Sequence, residues 1–132
     1  MKTIKFTYGP VTLNLYMNGS AMFDIQALED TSDTQADIFD RMNENTADGF
    51  SLTCKIAHIL ATQGELCRRY LQYQPRRIPS AQELTVLLSP SQIMTLRIAV
   101  MTAVNAGYSK SKDDDDGDID TGLAELEKKT NL

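Results

Sequence analysis

Apolar and polar positions alternate at the start of the chain. Ile4, Phe6 and Tyr8 mark one face of a strand, and Val11, Leu13, Leu15 and Met17 mark one face of a second. Gly9-Pro10 lies between them, and a two-residue loop with glycine first suits a type II′ turn. That register pairs Tyr8 with Val11, Phe6 with Leu13 and Ile4 with Leu15, all on one face. A hairpin over residues 2–17 follows. A lone hairpin is only marginally stable, so helices or a second subunit must cover its apolar face.

After Asn18-Gly19 the period changes from two to near 3.6. Ser20 is an N-cap candidate for a short helix through Leu28, and a second short helix is expected from Thr34 to Asn43. The longest element is Ser51–Tyr73, SLTCKIAHILATQGELCRRYLQY. Leu52, Ile56, Ile59, Leu60, Leu66, Cys67, Tyr70 and Leu71 fall within an arc of about 140°, which predicts a buried stripe. Gln63 sits inside that arc as its one polar exception. The opposite side carries Cys54, His58, Ala61, Thr62, Glu65, Arg68 and Arg69. Two prolines, Pro75 and Pro79, then end the helix. Ser80 with Glu83, and Ser89 with Pro90 and Gln92, announce two further helix starts as capping boxes. The last helix runs from Pro90 to about Ala106, with Gly107 as the expected residue beyond its end. Its apolar positions, Ile93, Met94, Leu96, Ile98, Val100, Met101, Ala103 and Val104, cover more than half its circumference. Such a helix is buried on several sides or faces a partner. Arg97 projects into that arc.

Charge is unevenly spread. Residues 1–50 hold eight acids and three bases (−5), residues 51–108 two acids and six bases (+4), and residues 109–132 eight acids and four bases (−4), summing to −5. An acidic balance argues against nucleic acid as partner. Ser109–Leu132 changes character: SKSKDDDDGD is low in complexity and reads as disordered within a flexible acidic tail, while Ile119, Leu123 and Leu126 have weak helical spacing that suits a short segment folding on a partner. The longest apolar run, Ile98–Met101, is too short to cross a bilayer, and the N-terminus has no signal-peptide pattern.

Candidate chemistry is sparse. Lys112–Ile119 resembles part of an EF-hand loop, but Lys112 and Leu123 occupy the two end-ligand positions, so a solvated acidic segment is the better reading. Cys54 and Cys67 lie about 20 Å apart along one helix and cannot pair. His58 and Cys54 lack an orienting group and an oxyanion site, and two Cys with one His fall short of a zinc set. No catalytic, cofactor or metal residues are assigned. Arg68, Arg69, Arg76 and Arg77 form a basic group that suits an acidic partner, the protein's own tail included; the plainer reading is a helix C-terminus with Glu65–Arg69 paired. Met94, Arg97 and Met101 are the partner-binding candidates on the last helix. Gln63 and Arg97, two polar groups on apolar faces, can bond each other or mark contacts with another chain, and snorkelling of its long stem accounts for Arg97 equally well.

The order of these elements resembles a known family. An apolar hairpin (IKFTYGPVTLNLYM) precedes GFSLTCKIAHILATQGELCRRY; a basic, proline-punctuated connector leads to ELTVLLSPSQIMTLRIAVMTAVNAGY; a charged tail ends in DIDTGLAELEKKT. The whole is similar to the small tail-assembly chaperones of long-tailed bacteriophages and prophages. That resemblance implies a non-enzymatic cytoplasmic protein of the host bacterium, absent from the mature virion. It would bind the helical tape-measure protein and help recruit tail-tube subunits. The expectations are a mainly α fold of four to five helices with an N-terminal hairpin, a single domain over 1–108 and a tail over 109–132. Protein partners and possible homo-oligomers are expected, with no nucleic acid and no membrane. The competing readings are a small helical adaptor or transcriptional regulator of a mobile element, and a small enzyme or metal binder built on Cys54, His58 and the aspartates.

Overall fold

The structure is a computed structural model describing residues 3–9, 11–28 and 34–109. Two strands, β1 (Ile4–Tyr8) and β2 (Val11–Leu15), are followed by helices α1 (Gly19–Ala27), α2 (Gln35–Met42), α3 (Ala47–Tyr70), α4 (Ala81–Leu87) and α5 (Pro90–Tyr108). The chain is mainly helical with an N-terminal antiparallel hairpin, as expected. The hairpin register is the predicted one, with Ile4 opposite Leu15, Phe6 opposite Leu13 and Tyr8 opposite Val11. Gly9 has φ +53°, the sign that the first position of a II′ turn demands. The tail expected from residue 109 and its calcium-loop likeness fall, beyond Ser109, outside the described residues.

The protein covers its own hairpin. β2 lies along α3 and β1 against α5, and Phe6, Leu13 and Leu15 enter a core shared with both helices. The contact with α3 is backbone against backbone: Tyr16 N–H donates to the Leu60 carbonyl at 3.1 Å. It depends on Gly64, where a Cβ would stand 1.8 Å from the Asn14 carbonyl oxygen. Only a residue without a side chain lets a strand lie so close to a helix.

Four helix boundaries moved, three of them through capping. α3 starts at Ala47, because Thr46 accepts from Gly49 N–H at 3.0 Å and Asp48 sits in the first turn. It stops at Tyr70 rather than Tyr73. Tyr73 N–H reaches the Arg68 carbonyl and Gln72 N–H the Arg69 carbonyl, both at 2.9 Å, with Gln72 at φ 69°. Those paired bonds are a Schellman termination in which glutamine takes the position glycine usually fills. α1 is capped by Asn18, not Ser20: its side chain accepts from Ala21 N–H at 2.9 Å. α5 runs on to Tyr108, so Gly107 lies inside it. There the absent side chain admits Met17, whose Cβ lies 2.5 Å from where a Gly107 Cβ would stand. The capping boxes at Ser80 and Ser89 are formed as predicted, and a third, Thr34 with Asp37, opens α2.

α3 is the hub, and its burial differs from the predicted stripe. Leu52, Ile56 and Leu60 are buried, but so are Thr53, Cys54, Ala57 and Ala61 on the other sides, because α1, α2, α4, α5 and β2 all pack on it. Its last turns are the reverse case. Leu66, Tyr70 and Leu71, expected in the stripe, are exposed. Gln63 is buried inside the arc and accepts from Asn18 Nδ2 at 3.0 Å, so it steadies the residue that caps α1 rather than bonding Arg97.

Gly64→Ala is expected to cost about 3 kcal/mol or more, or to prevent folding, in urea unfolding. Gly19→Ala, where an added methyl meets nothing within 4 Å, should instead be neutral or stabilising by less than about 1 kcal/mol.

Candidate functional site

The basic group at the end of α3 is organised inward. Glu65, placed on the polar side by periodicity, is buried, and it gathers its neighbours. Arg68 Nη1 lies 2.7 Å from its Oε1, Arg69 Nε 3.0 Å from its Oε2, and the Arg76 backbone N–H donates to Oε2 at 2.6 Å. Burial pushes the carboxyl up, but the hydrogen bonds from Arg76 N–H, Arg69 and Arg68 outweigh it and hold the group below its ordinary value. The Arg68 guanidinium also lies 5.5 Å from the Tyr73 ring centre. Arg77 pairs with Glu83, the N3 residue of the α4 capping box, which lowers the Glu83 carboxyl and raises Arg77. Arg68, Arg69 and Arg77 therefore each have an internal carboxylate. The cluster clamps the connector of residues 74–79 to α3. Arg76 and Arg77 also line an open groove of about 520 Å³ with Val11, Thr12, Pro79 and Leu87.

The thiols and the histidine form no constellation. Cys54 is buried on a face expected to be polar, and burial pushes its thiol up to about 11, which keeps it protonated and unreactive at neutral pH. His58 Nδ1 lies 2.9 Å from the Pro79 carbonyl, tying α3 to the connector. Among the described residues no group of three or more His, Cys, Asp or Glu side chains is placed to hold a metal ion, and no helix is long and apolar enough to cross a membrane.

Arg97 was expected on a partner-binding face of α5 and is instead buried, at 8% exposure. Its Nη1 donates to the Asn45 side chain at 2.8 Å and to the Asn43 carbonyl at 3.3 Å, and its Nη2 to the Glu44 carbonyl at 3.0 Å. Its guanidinium carbon lies 5.2 Å from the Phe50 ring centre. Asn43 is the C-cap of α2, so the cation meets the negative end of that helix and carbonyls that the helix leaves unpaired. Arg97 is a structural clasp between α5 and the α2–α3 junction, not a surface contact. Its Nε has no hydrogen-bond partner among the described residues.

With Arg97 turned inward, the outer face of α5 loses its charge. Arg97 is the one charged residue between Pro90 and Tyr108. Ile93, Leu96, Val100, Ala103 and Val104 point into the core, while Met94, Ile98 and Tyr108 are exposed and Met101 is half-buried. Ile98 is 68% exposed. Met94, Ile98, Met101, Asn105 and Tyr108 fall within an arc of about 80°. A water-facing helix face of that length with no charge is the profile of a surface built for contact. Met94 and Met101, the partner-binding candidates of the sequence, lie on it. Ile98 and Tyr108 were missed as site residues, although a nineteen-residue helix with one charge was the available signal.

A second apolar surface lies at the end of α3. Tyr16, Leu66, Cys67, Tyr70 and Leu71 line an open groove of about 380 Å³, with Tyr70 88% exposed. Nothing in the periodicity distinguished these residues from the buried part of the same stripe. No family model, no curated protein and no solved structure matches the chain.

Arg97→Met keeps the apolar stem but strands the Asn43 and Glu44 carbonyls, and is expected to cost about 2–4 kcal/mol in chemical denaturation. A depressed folded pKa stabilises the fold above the ordinary carboxyl value of 4.5, and that stability is lost as pH falls through the lowered value. The stability gap between the wild-type chain and Glu65→Gln, measured by urea unfolding, should therefore be full at pH 7 and shrink below pH 4.5.

Proposed function

We propose that the protein is a non-enzymatic assembly chaperone of the long-tailed phage type. It holds an apolar, helical client, the tape-measure protein, soluble on the outer face of α5, and it helps bring tail-tube subunits to that client. The observation that carries this reading is the uncharged outer face of α5, with Met94, Ile98 and Tyr108 exposed on it. A helix that must meet many successive stretches of a long helical client needs apolar anchors at i, i+4 and i+7, and Met94, Ile98 and Met101 have that spacing. Methionine side chains repack against differing partners, which suits a client whose sequence varies along its length. The acidic balance of the rest of the chain keeps such a protein soluble while that face is exposed.

The alternative of a DNA-binding regulator draws on the four arginines. Arg68 and Arg69 are tied to Glu65 and Arg77 to Glu83, so two carboxylates offset half of the four arginine charges that a phosphate backbone would need. The element order that resembles the phage chaperones adds to the first reading.

Co-expression with a candidate tape-measure protein tests it. The wild-type chain should keep the client soluble and co-purify with it, whereas Ile98→Lys should lose at least about ten-fold in recovered complex at unchanged thermal stability. A client that aggregates alike with and without the wild-type chain would sink the proposal.

A further inference from the structure

The spacing of the exposed and half-buried residues along the outer face of α5 goes beyond "apolar". Met94, Ile98, Met101, Asn105 and Tyr108 are separated by four, three, four and three residues. Steps of four and three are those of a heptad seam, with Ile98 and Asn105 at the a positions and Met94, Met101 and Tyr108 at the d positions. The seam is about 21 Å long, two heptads. Two heptads are too few to hold free peptides together, because most of the cost lies in forming the helices. Here α5 is already held helical by the core on its inner side, so that cost falls on folding and not on pairing.

We propose that a second copy of this chain covers this face, α5 pairing with α5 as a parallel, in-register, two-stranded coil. Three features favour a copy over an unrelated protein. A β-branched residue at one a position and asparagine at the next is the combination that selects two strands in register. In the parallel arrangement the two Asn105 side chains face each other and can exchange hydrogen bonds across the two-fold axis. In an antiparallel pair centred on Met101, Asn105 would instead oppose Ile98 and leave its amide unpaired in an apolar seam. Electrostatics point the same way. α1 and α2 bear Asp24, Asp37 and Asp40, so a pairing of two copies through those helices brings like charges together. The outer face of α5 carries none, so two copies can meet there without that cost. A dimer closed by a two-fold axis also uses up the apolar face in both partners. It is the resting form of the molecule, and a client helix takes the place of the second α5. The dimer stands whether or not the client is a tape-measure protein.

Sedimentation of the full chain alone, between roughly 1 and 100 µM, tests the pairing. The wild-type protein should reach twice the chain mass. Ile98→Lys places two cations face to face at an a position and should weaken association at least about a hundred-fold, with an unchanged thermal midpoint where the two proteins are compared at a dilution that leaves both monomeric. Should that variant lose stability, Met94→Lys, one turn earlier on the same exposed seam, repeats the measurement. Asn105→Cys in a Cys67→Ser background should form an interchain disulfide under mild oxidation, since a positions of a parallel in-register pair bring two Cα atoms within about 7 Å. A monomer throughout the concentration range overturns the proposal. So does a dimer that both lysine variants leave intact, or one in which Asn105→Cys fails to crosslink. No client is present in these measurements, so their outcome is separate from that of the co-expression test.

Discussion

The inward turn of Arg97 is the interaction on which the rest of the molecule hangs. A cation placed at the C-terminal end of α2, with three of its five N–H donors bonded to main-chain and side-chain oxygens nearby, is tolerable only because that end carries unpaired carbonyls and a negative dipole end. The clasp fixes the rotation of α5 about its own axis. Once that rotation is fixed, Ile93, Leu96, Val100 and Val104 must enter the core, and Met94, Ile98 and Met101 must look outward or along its edge. The same contact that anchors α5 therefore removes the helix's one charge from its outer face. Structural anchoring and surface chemistry are here two consequences of a single side chain.

α3 provides the frame in which that clasp operates. It is buried on nearly every side along its first two thirds, where every other helix and β2 reach it, and it carries two departures from the pattern of an ordinary core helix. Gly64 has no side chain because the strand backbone occupies the space, and Gln63 is polar because it steadies the asparagine that starts α1. Both residues weaken α3 taken alone, by lower helix propensity and a buried amide, and both are offset by a contact with the chain around residues 14–18. The hairpin and the first helix are seated by the same turn of α3.

Beyond Glu65 the helix has less to pack against, and the chain treats the two sides of its end differently. On one side a buried carboxylate draws in Arg68, Arg69 and the backbone of Arg76, closing the connector down. On the other side Leu66, Tyr70 and Leu71 stay open to water. A basic cluster that resembles a binding patch is thus largely satisfied internally, while apolar positions that resemble core are left exposed. For the apolar positions side-chain identity pointed to the opposite assignment; for the arginines it left two readings open, and the plainer one, with Glu65 and Arg69 paired, is the one formed.

The residues by themselves determined the hairpin and its register, the two capping boxes at Ser80 and Ser89, and the mainly helical class. All of these rest on local chemistry: alternation at a period of two, a glycine that accepts positive φ, and serines three residues before a reciprocal partner. The boundaries of α1, α3 and α5 were less legible, because Thr46, Asn18 and Gly107 take their roles from what lies beside them. Burial was decided only in three dimensions. Periodicity identifies an apolar face but not whether the chain has another element to lay on it, so it could not separate Leu60 from Leu71 or Ile93 from Ile98. A polar residue on such a face is ambiguous for the same reason. Gln63 and Arg97 read alike along the chain, and only the tertiary structure, by supplying Asn18 to one and the end of α2 to the other, decided that both belong to the interior.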